Sequence, residues 1–352
     1  MVCIAAFIIL ALVGIVVAFL SIFNRELGRK YWTTFKKAWH CVFKKVRLQK
    51  CDTNFKDDVK TTLLKKVILK HPKWVKPLSV IIEIASVLIV LITIWSIIIA
   101  IKSLLALWVF GTCNVSQPSQ CSLGAEACSI DQGEPTSFVE SIGRGFGEWG
   151  QIFGAIPDRL KTWNAEDYVS SVPVIEYAEN PSSLALDIMD PGCSVCMQSY
   201  KNQHDSDFIK NHNIAYLFYA IPNTDGGYKF SNSGLIVRYL YAPYYYDGNT
   251  DIALRIINRI FTAENEQGIS WQSVFNNQYD QAQTEQTLQT WYTELGGYTP
   301  EQVAEIVTQY VNSDQATNLM NEINDIVVNK IHAKGIPTTI YNGKKHNGLY
   351  KL

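Results

Sequence analysis

Two cysteines separated by two residues give the clearest chemical signal in the sequence. Cys193 and Cys196 stand in the stretch MDPGCSVCMQSY, between a predicted strand and a predicted helix. A sulfur at the start of a helix is favoured as the thiolate, because unpaired N–H groups and the helix macrodipole stabilise negative charge there. A second sulfur one turn later can close a disulfide with the first. Thiol–disulfide exchange uses this arrangement, with an exposed nucleophilic thiol and a buried resolving thiol.

Two other interpretations of the same cysteines stay open. A zinc site would need about two further ligands. There is no second CxxC, and the histidines of this region make no zinc-like pair: His204, His212, His332 and His346. A purely structural disulfide between Cys193 and Cys196 is the second alternative. The residues favour a redox pair over both, and they indicate neither a bound metal nor a cofactor.

A proline more than a hundred residues downstream adds a second signal. Pro337 stands in KGIPTT, at the start of a predicted strand. Taken alone, it would be a breaker between a helix and a strand. A cis X–Pro bond is costly and therefore purposeful, and the thioredoxin fold places one opposite its active site. Together with the CxxC pair, the sequence predicts a cis Ile336–Pro337 bond that leaves the backbone of Ile336 free to pair with an extended substrate chain.

Short strands and helices are predicted around these motifs. YVSSVPVIEYAE, SLALDIMD and IAYLFYAIP have the composition of strands, and a polar helix follows Cys193. LIVRYLYAPYYY fits either a strand or a helix. Residues 249–333 are predicted to be largely helical, with Thr299 as an N-cap before a proline and a helix end at Gly335. IPTTIYNGKKHNGLY fits two strands joined by a turn at Asn342–Gly343.

Three stretches together carry a resemblance to a known family. They are LALDIMDPGCSVC, ENEQGISWQSVFNNQ and MNEINDIVVNKIHAKGIPTTIYNGKK, the last being the most specific. Over roughly residues 170–350 the chain resembles the DsbA-like branch of the thioredoxin superfamily, whose members are extracytoplasmic thiol–disulfide oxidoreductases. The resemblance implies an α/β, thioredoxin-like fold with a helical insertion at about residues 249–333.

The resemblance also implies roles for individual residues. Cys193 would be the nucleophile, Cys196 the resolving thiol, and Ile336 with the cis Pro337 would bind the substrate chain. The dipeptide Ser194–Val195 departs from the family, because it lacks the proline or histidine common between the two cysteines. That dipeptide helps to set the reduction potential, so the sequence leaves the redox direction open.

Two segments are long and apolar enough to cross a bilayer. Residues 2–23 carry no charge, and residues 77–110 carry only Glu83 and Lys102, one near each end. About 20 apolar residues span the hydrocarbon core as a helix. The first segment lacks a basic n-region and is followed by a basic stretch, so it is predicted to be a retained anchor and not a cleaved signal peptide. We therefore expect two transmembrane helices before the redox domain.

Charge is divided unequally along the chain and indicates the orientation. Residues 24–78 contain sixteen Lys or Arg against four Asp or Glu, whereas residues 103–352 contain fourteen against twenty-seven. Positively charged loops stay in the cytoplasm, so the basic loop is predicted to lie there, with Cys41 and Cys51 as reduced thiols. The N-terminus and the C-terminal domain would face out. The loop is expected to bind anionic lipid, and without a nucleic-acid motif no nucleic-acid partner is expected.

The predicted outer part of the chain holds an odd number of cysteines. They are Cys113, Cys121, Cys128, Cys193 and Cys196. One hypothesis joins Cys121 to Cys128 as a structural disulfide and leaves Cys113 either free or paired with Cys3 at the outer end of the first span.

Five segments are expected along the chain. They are transmembrane helix 1 (1–23), a basic cytoplasmic loop (24–76), transmembrane helix 2 (77–110), an extracytoplasmic cysteine-containing linker with an amphipathic helix (111–165), and a DsbA-like thioredoxin-fold domain (166–352). The amphipathic helix is predicted within residues 136–163, where it would pack on the domain or on the outer membrane face.

Two functions are consistent with these expectations. The first is a membrane-anchored, extracytoplasmic thiol–disulfide oxidoreductase that forms, reduces or isomerises disulfides in exported cysteine-containing proteins. In the oxidising direction, a quinone-linked membrane partner would reoxidise it. The alternative is a non-enzymatic interaction module of a cell-envelope assembly with a static disulfide. Tyrosines within residues 239–246 would form its docking face, unless they belong to the core. A reactive Cys193 of low pKa would separate the two, because only the enzyme needs it.

Overall fold

The computed structural model describes residues 25–47, 61, 64, 72–115, 127–130, 138–224 and 226–349. The first predicted span, residues 2–23, lies outside the described residues. Three cysteines also lie outside them: Cys3, Cys51 and Cys121. By its internal contacts the chain divides into two compact units, Met1–Ile101 and Lys102–Leu352.

The first unit contains helix α1, Arg25–Val46, and most of helix α2, Val75–Phe110. Of the helices among the described residues, α2 alone is long and apolar enough to cross a membrane. At about 1.5 Å per residue, its 36 residues extend about 54 Å, which exceeds the roughly 30 Å of a hydrocarbon core. A helix over the second predicted span is thus confirmed, and its place in a membrane stays a prediction.

Helix α3, Phe138–Leu160, packs against the C-terminal turns of α2 inside the second unit. The two helices share a small buried cluster: Ala106, Val109, Phe110, Ile152 and Ala155. Lys102 of α2 forms an ion pair with Glu148 of α3. Helix α3 also contacts a residue near the C-terminal end of the chain: the Lys334 ammonium donates a hydrogen bond to the Gln151 side chain of α3. The predicted amphipathic helix therefore exists and packs on protein along one side.

The described residues of the second unit form two sheets. The smaller one pairs β1, Cys128–Ser129, with β5, Gly335–Ile336. The larger one has the order β2–β4–β3–β6–β7, with β2 Val174–Glu176, β3 Ser183–Met189, β4 His212–Phe218, β6 Thr338–Tyr341 and β7 Lys344–Asn347. Strands β3 and β4 are parallel, and the other pairs are antiparallel. SLALDIM and HNIAYLF are apolar along most of their length because central strands are covered on both faces.

Two helices connect β3 to β4, namely α4 (Ser194–Asp205) and α5 (Phe208–Asn211). The β3–α4–β4 unit followed by the β6–β7 hairpin is a thioredoxin-like arrangement of mixed helices and sheet. The predicted hairpin turn is confirmed, because Asn342 and Gly343 both have positive φ, 48° and 74°, as a two-residue turn between antiparallel strands requires.

A helical block stands between β4 and β5. It comprises α6 Ser233–Asp247, α7 Asp251–Thr262, α8 Trp271–Asn277, α9 Gln281–Gly296, α10 Pro300–Ile306 and α11 Asp314–Asn324, the last two continuing into π-helical turns. The block begins at Ser233, before the predicted residue 249, because LIVRYLYAPYYY is helical. Periodicity does not separate a short buried helix from a buried strand. Thr299 is confirmed as an N-cap, with a capping box to Gln302 and a proline at the first helical position.

The core of the second unit lies between the sheet and the helical block. Its largest fully buried side chains are aromatic: Tyr200, Tyr216, Phe218, Tyr239, Tyr241, Phe261, Phe275 and Tyr292. The buried tyrosine hydroxyls have partners, as expected for polar groups removed from water; the backbone N–H of Phe218 donates to the Tyr241 hydroxyl at 3.0 Å. Tyr239 and Tyr241 therefore belong to the core and do not form a docking face.

Candidate active site

The two cysteines predicted to do chemistry lie at the junction of β3 and α4. Cys193 is the N-cap of α4, and its Sγ accepts a hydrogen bond from the backbone N–H of Cys196 at 3.4 Å. The loop before them is tightly packed, since a Cβ added to Gly192 would come within 2.4 Å of Phe230. The predicted order of strand, CxxC and helix is confirmed, and it places both sulfurs at the N-terminal end of α4, where partial positive charge favours a thiolate.

The structure joins Cys193 to Cys128 and not to Cys196. The Cα atoms of Cys128 and Cys193 are 6.4 Å apart, within the usual range for a disulfide. Cys196 is a free and fully buried thiol. The predicted bridge between Cys121 and Cys128 is therefore wrong, because the Cys128 sulfur is already bonded to Cys193 and cannot bond to a second cysteine.

Two more cysteines are disulfide-bonded in the structure, Cys41 and Cys113. The expectation that Cys41 is a reduced thiol is therefore wrong, and so is the alternative of a free Cys113. Disulfides persist in oxidising compartments, and inside the cells of hyperthermophiles. A disulfide at Cys41 is therefore more typical of a loop in an oxidising compartment than of a loop in the cytoplasm.

Strand β1 brings Cys128 to the Ile336–Pro337 bond, which is cis as predicted. In the antiparallel register Cys128 faces Ile336 and Ser129 faces Gly335. One residue further along, the backbone N–H of Ile130 donates to the Lys334 carbonyl at 3.2 Å. Cys128 is thus bonded to Cys193 and paired with Ile336, so the two predicted halves of the site meet at this residue.

A lysine fixes the same short strand from another direction. The Lys229 ammonium donates a hydrogen bond to the Ser129 carbonyl at 2.9 Å, and Ser129 is fully buried. Three residues of extended chain, 128–130, are therefore held by a disulfide, a strand pairing and a charged side chain. The substrate-binding roles of Ile336 and Pro337 stay predictions, although this backbone edge does pair with an extended chain here.

Two buried carboxyl groups lie beneath the cysteines. Burial raises the pKa of Asp190 to about 7, although the backbone N–H groups of Ile221 and Gly192 donate to its oxygens, each at 2.8 Å. Burial also raises the pKa of Asp187 to about 7, against the opposing hydrogen bonds from Gln203 and Thr339. Each group can therefore hold or release a proton near neutral pH.

Both carboxyl groups affect the pKa of the Cys196 thiol. Burial raises its pKa well above the ordinary value, and the negative charges of Asp190 and Asp187 raise it further. A buried thiol of raised pKa is a poor nucleophile until a base removes its proton. Cys196 therefore has the properties of a protected resolving thiol, with a carboxyl group of suitable pKa nearby.

Helix α8 holds the loop that carries the cysteines. The buried Gln272 amide donates to the carbonyls of Pro191 and Cys193, at 2.9 and 3.1 Å. The Asn276 amide donates to the Gly192 carbonyl at 2.8 Å. These bonds fix three consecutive peptide groups before and at Cys193, and so they orient the N-terminal end of α4.

Sequence reasoning did not single out the carboxyl groups or the amides of this site. Asp187 and Asp190 carried a usable signal, because they are acidic residues within the apolar stretch LALDIMD. Gln272 and Asn276 lie in a stretch quoted for its family resemblance, but no local pattern marks their side chains. Among the described residues, no group of three His, Cys, Asp or Glu is placed to hold a metal ion.

No protein-family model matches the chain, and no curated protein matches it. Solved structures that resemble it include the thiol-disulfide exchange protein alpha-DsbA2 from Wolbachia pipientis, with 12% identity, a TM-score of 0.37 and coverage of 53% of this chain and 84% of that chain. Oxidised BdbD from Bacillus subtilis has 14% identity, a TM-score of 0.36 and coverage of 52% and 90%. The catalytic domain of Proteus mirabilis ScsC has 10% identity, a TM-score of 0.36 and coverage of 52% and 84%.

These likenesses are distant, with TM-scores below 0.5, and they establish no activity for this chain. The thioredoxin-like character of the second unit follows from its own sheet order and from the CxxC helix that begins after β3. Function is therefore inferred from the geometry of the site.

Proposed function

We propose that the protein is a membrane-anchored, extracytoplasmic thiol–disulfide oxidoreductase that acts on cysteines of exported proteins. One observation carries the proposal. Cys193 is bonded to Cys128 of strand β1, which pairs with Gly335–Ile336, and Cys196 is a free thiol one helical turn away. A mixed disulfide between enzyme and substrate requires these relationships between its three sulfurs.

In the oxidising direction the cycle begins with a disulfide between Cys193 and Cys196. A substrate thiolate attacks the Cys193 sulfur, a new S–S bond forms, and Cys196 leaves as a thiolate. Burial and the negative charge of Asp187 make that thiolate unstable, so it takes a proton, for which the protonated Asp190 is a suitable source. A second substrate thiolate then attacks the first substrate sulfur and releases Cys193 as a thiolate at the N-terminus of α4.

In the reducing direction the same steps run backwards. The Cys193 thiolate attacks a substrate disulfide, and one substrate sulfur leaves as a thiolate. Asp190 or Asp187 then accepts the Cys196 proton, and the Cys196 thiolate attacks Cys193 to release the substrate. The carboxyl groups serve both directions because a pKa near 7 allows either protonation state.

The proposal includes a partner that reoxidises the enzyme and helices that anchor it in a membrane. Oxidised Cys193–Cys196 would be restored by a quinone-linked membrane partner. Helix α2 is consistent with a membrane anchor, and residues 2–23 would supply a second span. The charge of residues 24–76 favours a cytoplasmic basic loop that binds anionic lipid, whereas the Cys41 disulfide favours an oxidising compartment. Alkylation of Cys41 in intact cells with and without reductant decides between the two.

A non-enzymatic interaction module is favoured by a different observation. Both Cys193 and Cys196 are fully buried, and the Cys193 sulfur is already bonded. A static Cys128–Cys193 link would staple the β1 segment to the domain, a stabilising role that disulfides often have. No thiol would then need to react, and the domain would act by contact alone.

Redox titration separates the two functions. The full chain is purified in detergent, equilibrated in glutathione buffers and alkylated, and the state of Cys193 is followed by mass. A potential of about −120 to −180 mV indicates a disulfide donor, and one near about −270 mV indicates a reductase. A link that resists reduction below about −300 mV, with no reactive Cys193 thiol, supports the interaction module and refutes the enzyme.

A further inference from the structure

We propose that Cys128 is a third redox-active cysteine, and that residues 127–130 are a tethered substrate that competes with exported proteins for Cys193. The inference rests on the proposed function and adds to it an internal competitor with a defined sulfur. It is carried by the covalent and backbone contacts of the short strand β1.

The position of Cys128 is that of a substrate sulfur. Its Sγ is bonded to Cys193, and its backbone faces Ile336 in an antiparallel register. Ile130 extends the pairing to the Lys334 carbonyl. Recognition through main-chain hydrogen bonds to a strand edge accepts many sequences, because the backbone supplies the affinity. An exported protein with a cysteine in an extended segment would need the same edge, and β1 occupies it.

Side-chain contacts show that the segment is held specifically. Lys229 donates to the Ser129 carbonyl at 2.9 Å, and Ser129 and Ala127 are buried. Strand pairing and the Lys229 contact therefore hold the segment at this backbone edge independently of the disulfide.

The third sulfur is placed for an internal exchange. The Cys196 thiol loses its proton and attacks the Cys193 sulfur, the Cys193–Cys196 bond forms, and the Cys128–Cys193 bond breaks. Cys128 leaves as a thiolate and takes up one proton. The number of disulfides and thiols is unchanged, so no external oxidant or reductant is needed. Because Cys196 is buried and its pKa is raised, few molecules carry its thiolate, and the Cys128–Cys193 form persists.

The tether gives Cys128 an advantage over free substrates. Cys128 and Cys193 belong to one chain, so their encounter is intramolecular, with an effective concentration on the order of 1 mM. Cys128 would therefore react with Cys193 about 100-fold faster than a peptide at about 10 µM. Removal of Cys128 should then raise the rate at which an outside thiol reaches Cys193 by about 10- to 100-fold.

The test uses the full chain in detergent and four variants. Disulfides are mapped after acid quench and alkylation, without reduction. Cys196→Ser should keep the Cys128–Cys193 link, and Cys128→Ser should show Cys193–Cys196. Cys113→Ser is the matched control, because it removes another bonded cysteine from the outer part of the chain. The fourth variant, Lys229→Ala, weakens the hold on Ser129 without changing any sulfur.

The kinetic readout is mixed-disulfide formation between the protein and a fluorescent peptide with one cysteine. We expect Cys128→Ser to react about 10- to 100-fold faster than the wild type, Lys229→Ala to be intermediate, and Cys113→Ser to match the wild type. If Cys128→Ser fails to fold, the intermediate rate of Lys229→Ala still tests the competition. Equal rates for wild type, Cys128→Ser and Lys229→Ala overturn the inference.

The disulfide maps of the wild type and its variants show whether this inference or the proposed function fails. If Cys128→Ser forms mixed disulfides but the wild type never contains Cys128–Cys193, the enzyme stands and the internal competitor is refuted. If Cys128–Cys193 converts to Cys193–Cys196 in the wild type while no variant reacts with peptide, the internal exchange stands and the proposed function fails.

Discussion

Asp190 should make the stability of the domain depend on pH in a way that one substitution removes. Its carboxyl has an ordinary pKa of 3.8 when unfolded, and about 7 in the fold, where burial disfavours the charged form. A raised carboxyl pKa gives stability that is complete below pH 3.8 and is lost as the pH rises to about 7. The shift of about 3 pH units corresponds to roughly 4 kcal/mol.

The variant Asp190→Asn isolates this contribution. The amide cannot ionise, so its free energy of unfolding should lack the roughly 4 kcal/mol decline between pH 4 and pH 7.5 that the wild type shows. A second effect is independent of pH. The amide NH₂ faces one of the two backbone donors, Gly192 or Ile221, and the lost hydrogen bond costs about 1–3 kcal/mol. The variant should therefore be less stable than the wild type in acid and more stable at pH 8.

The assay is urea unfolding of the full chain in detergent, followed by tryptophan fluorescence at several pH values. Asp187→Asn is the matched control, because burial raises that pKa to about 7 as well, and it should remove a similar decline. The difference between variant and wild type cancels groups that titrate in both, such as Glu176 and His204. Parallel pH curves for wild type and Asp190→Asn would refute the buried-carboxyl reasoning.

Three further substitutions test the geometry around the cysteines. Gly192→Ala would place a methyl group 2.4 Å from Phe230, so we expect a stability loss of about 1–3 kcal/mol in thermal unfolding and slower thiol exchange; unchanged stability would contradict the packing. Gln272→Ala removes the side-chain donor to the buried Pro191 carbonyl, while the Cys193 carbonyl keeps the Met197 N–H; the loss should cost about 1–3 kcal/mol, whereas the exposed Gln278→Ala should be neutral, and equal effects would refute the role of Gln272 in holding the loop. In a Cys128→Ser background, Cys196→Ser should trap mixed disulfides between Cys193 and a peptide disulfide on non-reducing gels, because no internal thiol remains nearby to release the peptide; their rapid turnover would show that Cys196 is not the resolving thiol.

Much of the local structure could be predicted from neighbouring residues. The apolar run of β3, the CxxC after it and the polar helix α4 lie within about 25 residues of sequence, and each is specified by its own periodicity and caps. Asn342–Gly343 predicted its turn because few residue pairs accept positive φ at both positions. The helix α6 could not be predicted, because its aromatic run is buried and fits either period.

The disulfide pattern shows the limit of such reasoning. Spacing suggested Cys121–Cys128 and Cys193–Cys196, since close cysteines lose little chain entropy when they pair. The structure instead joins Cys128 to Cys193 across 65 residues. A disulfide forms only where two Cα atoms come within about 7 Å, and packing of distant strands decides which cysteines meet that condition.

By itself, the sequence determined two features that can do chemistry: two thiols at a helix start and a proline before a strand. Propensity, capping and turn preference act over a few residues, so these features can be predicted from short stretches of sequence. The tertiary structure alone decided that Cys128 would lie beside Ile336, and that burial would bring Asp190 to a pKa near 7. Both depend on groups far apart in sequence, whose contacts and desolvation exist only once the sheet and the helical block have packed together.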